Sequence, residues 1–267
     1  MAPYLIVSDI HANLEALKAV LADSRGRYEE ILCLGDVVGY GADPNAVVEW
    51  ARANADVVVR GNHDRACCGS EPLEDYTSAA RASAIWTREE LAGENLEYLE
   101  KLARGPLRVS VEVPQGNAVS SSSEPAPGGH GVLRHEDFDL SHGSPADEDE
   151  YVLTVADASP LREAICAQMT FFGHTHVQGG FVLTRSGARR ISPAGIFELE
   201  PDHYYLVNPG SVGQPRDGDP RAAYAIYSPE QRTVEYRRVP YDVDKAASKI
   251  RAAGLPSSLA ARLYTGT

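Results

Sequence analysis

An α/β protein with a mostly parallel sheet is the fold class this sequence predicts, and three observations predict it. Short apolar runs alternate with segments of helical periodicity over residues 4–70. Three strand–loop–helix units follow one another, the order that gives a mostly parallel sheet with covering helices. Each run also stops at Asp, Asn or His, and ligands collect beyond the carboxyl ends of strands in such sheets.

The elements follow in order. PYLIVSD opens the chain as a strand, and ANLEALKAVLADS repeats Leu14, Ala16, Leu17, Val20 and Leu21 at helical spacing. EEILCLGDVVGYG is a second strand running into a Gly-rich loop, with PNAVVEWARANA as the next helix. DVVVRGNHD is a third strand ending in a polar loop. Residues 71–104 carry no strand-like run and predict two or three helices within a single domain spanning 1–267, either a cap-like insertion over the strand ends or helices packed on the outside. LRVSVEV resumes strand alternation, and residues 115–131 are so rich in Ser, Pro and Gly that a flexible loop is expected. Further strands are expected near 137–141, 169–173, 180–184, 204–207, 222–228 and 232–239, with closing helices near 243–253 and 257–264.

Composition excludes several classes of function. A net charge of −13 argues against a sequence-independent binder of long nucleic acid, which needs a basic face. It leaves room for an enzyme of phosphates, because bound cations invert the field of an acidic cleft. No apolar run approaches the length of a membrane span. Four cysteines without a CxxC pair, with Cys33 inside an apolar run, read as free thiols in a reducing cytoplasm.

The chemistry lies at the strand ends. Asp9 and His11 follow the first strand, Asp36 the second, and Asn62, His63 and Asp64 the third. His142 in DLSHGSP and the pair His174 and His176 in GHTH add two later strand ends. Singly, each has a plain reading: Asp9 as a helix cap, Asp36 and GNHD as turn residues. Together, five segments delivering oxygen and nitrogen donors to one edge point to hard or borderline divalent metals.

With SDIHAN, LGDVVGYG, RGNHD, SHGS and GHTH in this order, the sequence resembles the calcineurin-like metallophosphoesterase superfamily. The stretches NPGSVGQPRDGDPRAAYAIY and AAGLPSSLAARLYTG make it similar to a bacterial branch related to diadenosine tetraphosphatases. The resemblance implies a four-layer α/β/β/α sandwich with a dinuclear metal site at the sheet edge. Carried over, Asp9, His11, Asp36 and His176 would hold one ion, and Asp36, Asn62, His142 and His174 the other. It further implies hydrolysis of phosphodiesters or phosphomonoesters by a hydroxide bridging the two cations. His63 matches the histidine that protonates or stabilises the leaving oxygen. Gly39 stands where protein serine/threonine phosphatases place an Asp to orient that histidine, which weakens a protein-phosphatase reading and leaves His63 without an obvious partner.

Substrate contacts are expected from Arg60 or Arg65, whose guanidinium groups suit oxyanions, and from Tyr40 beside the Gly39 loop. Asn208, Gly210 and Ser211 would shape the rim, while His130, His135 and His203 and the acidic run 147–150 read as solvated surface. Manganese is the first expectation for the two divalent ions, with zinc, iron, nickel or cobalt compatible with the same donors. The expected substrate is a small phosphorylated molecule, favourably a nucleotide. Two rivals are a catalytically silent scaffold binding a protein partner, and mononuclear zinc hydratase chemistry. The first requires lost ligands, which this chain retains; the second leaves Asp9, Asp36 and Asn62 unexplained.

Overall fold

Alternating side chains on two sheets divide the interior into layers in the computed structural model, which describes residues 3–114 and 133–267. The expected loop at 115–131, including His130, lies outside the described residues. Among those described, twelve strands form two six-stranded sheets. The first holds β1 (Tyr4–Val7), β2 (Glu30–Cys33), β3 (Val57–Val58), β9 (Ile196–Glu198), β11 (Ala222–Ser228) and β12 (Thr233–Val239), in the order β3-β2-β1-β11-β12-β9. The second holds β4 (Leu107–Pro114), β5 (Leu133–Leu140), β6 (Met169–Phe171), β7 (Gly179–Thr184), β8 (Gly187–Ile191) and β10 (Tyr204–Asn208), in the order β4-β5-β6-β10-β7-β8.

Both sheets are mixed, not mostly parallel. β1, β2 and β3 pair in parallel as their crossovers require, but β11 returns beside β1 antiparallel and carries β12 with it as a hairpin. In the second sheet β5, β6 and β10 are parallel, flanked by antiparallel partners. The parallel trio of each sheet sends its carboxyl ends to one edge, and that edge holds the site.

Period-two alternation sets the layers. On β1, Tyr4 and Ile6 face a core between the sheets with Leu32, Phe138, Phe171, Tyr205 and Tyr227, while Leu5 and Val7 face the helices. That outer layer contains α1 (Leu14–Asp23) and α2 (Pro44–Asn54), whose buried stripes include Ala16, Leu17 and Val20, and Val47, Val48 and Ala51. Asn13 caps α1 by accepting from the Ala16 N–H at 3.1 Å, and Pro44 starts α2. On the far face of the second sheet, α6 (Val155–Ala158) and the 3-10 turn Ser159–Glu163 cover Phe181, Leu183 and Leu206. Two mixed sheets flanked by helices give the expected α/β/β/α sandwich.

Two departures have physical reasons, whereas segment 71–104 is helical as expected. GNHD is not only a polar turn: Asn62 begins α3 (Asn62–Cys68), a helix whose first turn carries polar side chains and so shows no apolar period. β8 and β9 went unanticipated because most of their residues face solvent, as short edge strands do. Segment 71–104 forms α4 (Ser78–Glu90) and α5 (Gly93–Glu100), which bury Ala84 and Leu99 in the α1–α2 layer. α7 (Val243–Ala252) and α8 (Ser257–Arg262) close the chain around Ile250, Leu259 and Tyr40.

Candidate metal centre

Loops after β1, β2, β5 and β6 bring two groups of buried donors together. Asp9, His11, Asp36 and His176 form the first, and Asp36, His142 and His174 the second, so Asp36 belongs to both. The GHTH pair divides, His176 to one group and His174 to the other. Asn62 joins the second group, its Oδ1 3.1 Å from His142 Nε2. All expected ligands thus meet at one edge.

The loops are held in unusual backbone. Asp9, His11, Ala12, Asp36, Tyr40, His174 and His176 all have positive φ, and Arg232 is the one further non-glycine example among the described residues. Such conformations cost about 1–3 kcal/mol each and cluster at functional sites. Close packing fixes the rest: a Cβ at Gly61 would lie 2.1 Å from Asp36 Oδ1, so only glycine admits that carboxylate.

Hydrogen bonds behind the imidazoles decide which nitrogen faces inward. Nδ1 of His11 donates to Val38 O at 3.0 Å, that of His142 to Leu34 O at 2.8 Å, and that of His176 to Gln214 O at 2.6 Å. A carbonyl only accepts, so each Nδ1 carries the proton and a neutral ring leaves Nε2 bare. The bare nitrogens of His11 and His176 face each other at 3.1 Å, and His142 Nε2 faces His174 Nδ1 at 3.1 Å and Asp36 Oδ2 at 3.4 Å. Both Asp9 oxygens, Asp36 Oδ2 and His174 Nε2 are buried without a hydrogen bond. Lone pairs converging on lone pairs in a dry site call for positive charge between them, and the donor set fits divalent cations.

The titration of His11 and His174 agrees, while His142 keeps a proton beside Asp36 that a cation would displace. Burial pushes His11 well below its ordinary value and His174 down to about 3. Burial acts on His142 as well, but the Asp36 carboxylate outweighs it and raises that ring to about 10. Burial also works against Asp36, yet the neighbouring imidazoles hold it well below the carboxylate range.

His63 stands beside the groups, its backbone N–H donating to Asp36 Oδ1 at 2.8 Å. Burial lowers its pKa to about 4, so the ring is neutral near pH 7. Asp64 does not orient it: its carboxylate caps α3, accepting from Gly61 N at 2.9 Å and Val38 N at 3.2 Å. Burial raises Asp64 to about 7. Rings orient His63 instead, with Tyr40 at 4.3 Å and Tyr76 at 5.5 Å between centroids. A Cβ at Gly39 would sit 2.7 Å from His63 Nδ1, so the ring occupies the space a side chain there would need.

The structure redirects several expectations about the surroundings. Arg60 forms two hydrogen bonds to Glu148, at 2.9 and 2.8 Å, and Arg65 pairs with Glu71, Glu148 and Asp149. Both guanidinium groups are therefore already neutralised, and Glu148 is a nearly buried hub that also meets Arg104, not a solvated residue. His135 is exposed near Glu112, and His203 lies near Glu200. Asn208 and Ser211 brace the centre from behind: Asn208 donates to Gly173 O and Thr175 Oγ1, and Ser211 donates to Asp9 O. Tyr40 lines the cleft as expected.

A cleft of about 680 Å³ opens onto this edge, lined by Tyr40, Asn62, His63, Tyr76, Tyr151, His174 and Arg216 among others. Sequence reasoning missed Tyr76, Tyr151 and Arg216. Tyr76 OH accepts from Asn62 Nδ2 at 3.0 Å and so turns the amide oxygen toward His142. The Tyr151 ring lies 4.0 Å from that of His174.

A sandwich of two mixed sheets with Asp and His donors at its edge defines a metal-dependent phosphoesterase architecture. Residues 3–232 match the calcineurin-like phosphoesterase superfamily domain, and the chain belongs to that superfamily. It is 36% identical over 262 residues to an uncharacterised protein of Methanocaldococcus jannaschii, covering 98% of this chain and 97% of that one. The crystal structure of a metallophosphoesterase from Sphaerobacter thermophilus aligns at TM-score 0.78 and 35% identity, covering 100% and 99% of the two chains. A hypothetical protein from Pyrococcus horikoshii OT3 shares the fold at TM-score 0.73 and 19% identity, over 100% and 99%.

Proposed function

We propose that this protein hydrolyses phosphodiester or phosphomonoester bonds of small molecules, nucleotides foremost, with two divalent cations. The observation that carries the proposal is Asp36, one buried carboxylate shared by two donor groups whose lone pairs converge. Asp9, His11, Asp36 and His176 would hold one cation, and Asp36, Asn62, His142 and His174 the other. Bound divalent cations supply neutralisation of phosphoryl charge and a lowered water pKa. The remaining work falls to the chain. The carbonyls of Leu34, Val38 and Gln214 fix three imidazoles, and Tyr76 fixes the Asn62 amide. His63, neutral and at the cleft wall, holds an N–H that can reach a leaving oxygen.

The cleft volume falls in the range of small-molecule sites, and the acidic chain disfavours long nucleic acid. Its mixed oxygen and nitrogen donors accommodate manganese, which we place first, as well as zinc, iron, nickel or cobalt. Four free cysteines suit a reducing compartment, and the cytoplasm is the location we propose. Metal analysis of the purified protein, paired with assays on bis-p-nitrophenyl phosphate and p-nitrophenyl phosphate, tests the reading. Two ions per chain and metal-dependent release of nitrophenol are expected. A fully metal-loaded protein inert toward both esters and toward a nucleotide panel would overturn it.

A further inference from the structure

Arg216 differs from the other well-packed arginines of this protein. Arg65 meets Glu71, Arg232 meets Glu136, Arg237 meets Asp23 and Arg238 meets Asp217. Arg216 has no carboxylate within 4.0 Å among the described residues. Its Nη2 donates to Tyr40 OH at 3.3 Å and Gln214 Oε1 at 3.1 Å, and its Nε is buried with no hydrogen-bond partner. Its backbone N–H donates to His176 O at 3.1 Å, which ties it to a loop of the metal centre. The side chain lines the same cleft as His63 and His174.

The guanidinium is half-buried with no carboxylate in direct contact and its buried Nε–H unsatisfied, which is costly, and cations held in the neighbouring centre would add to that cost. An anion lying between them relieves both. The planar fork of arginine matches a tetrahedral oxyanion through two parallel hydrogen bonds, and an unused Nε–H is available to make one of them. We infer that Arg216, held by the Tyr40 hydroxyl, is the residue that seats the phosphoryl oxygens of the substrate. The inference rests on the phosphoester reading for its choice of ligand, not for its geometry. Tyr40 thereby has a positioning role: it orders the guanidinium on one side and packs on His63 on the other.

Inorganic phosphate is the probe. Calorimetric titration of phosphate into metal-loaded wild type, Arg216→Gln and Arg216→Ala is expected to show affinity falling roughly ten- to a hundredfold in both variants, as for lost charged hydrogen bonds. Metal content is expected to stay the same. Added guanidinium ion should restore affinity to Arg216→Ala, which a purely structural role would not produce. Tyr40→Phe, which loses one hydroxyl, should show a smaller loss in the same direction, and keeps the test alive if the arginine variants fail to fold. Undiminished phosphate affinity in Arg216→Gln, or in Tyr40→Phe where the arginine variants do not fold, would overturn the inference. If wild type binds phosphate through Arg216 yet cleaves no ester, the site stands and the hydrolase reading falls. If wild type cleaves esters and the variants match it in KM and phosphate affinity, the reverse holds.

Discussion

The two donor groups share Asp36 but are built differently. The first has two carboxylates and two imidazoles, both imidazoles anchored by backbone carbonyls. The second has one carboxylate, one anchored imidazole, an amide, and His174, whose Nδ1 faces its neighbour and whose ring meets Tyr151 at the cleft. More negative charge and tighter backing should give the first group the higher affinity, with the second, nearer the substrate, exchanging its ion more readily. On the two-cation proposal, one centre would pair a tightly held position with a more exchangeable one.

The largest way to break that contrast is Asp36→Asn, which removes the charge common to both groups. Hydrolysis of bis-p-nitrophenyl phosphate should fall by at least roughly 10²-fold, with metal content dropping below two per chain. An unchanged rate would sink the dinuclear arrangement. Next come His176→Asn and His174→Asn, each expected to weaken one group by roughly ten- to a hundredfold in metal affinity. Competition with a chelator should strip the ion of the second group first in wild type, and the two variants should lose different ions. Tyr76→Phe is subtler. It frees the Asn62 amide to rotate, so the second group should lose up to about tenfold in affinity while the first is unmoved.

The smallest effect serves as the control. Lys249 Nζ lies 2.8 Å from Glu15 Oε1 and 2.8 Å from Asp43 Oδ1, and none of the three belongs to either donor group. Burial works to raise Glu15, but Lys249 and Lys245 outweigh it and hold the carboxyl below its ordinary value. Its stabilisation is therefore present above the unfolded value near pH 4.3 and is lost as pH falls through the folded one. Urea unfolding across this acid range should show a shallower limb in Glu15→Gln. Lys249→Ala should lower stability by about 1–2 kcal/mol, with metal content and activity unchanged.

How much of this was legible in the sequence follows from what each residue answers to. Asp9, His11, Asp36, Asn62, His142, His174 and His176 announce themselves because each ends an apolar run, a local signal. Arg60 and Arg65 misled because Glu148, which neutralises them, comes from a distant loop. Arg216 and Tyr76 were invisible for the converse reason, since a half-buried cation with no carboxylate in contact and a phenol beside an amide are facts of packing. The direction of β11 was equally hidden. An apolar run states that a strand exists, while its pairing depends on which edge the returning chain meets.

Three connections of the first sheet and two of the second converge on the centre, and that origin bears on how the protein is made. Asp9 emerges from the ribosome early, but its group is incomplete until His176 follows, and the His176 ring is fixed only when Gln214 docks. Non-local contacts of this kind form late. A partly synthesised chain therefore carries the acidic half of a cation trap without the half that closes it. On the proposed reading, metal capture would be tied to completion of the sandwich.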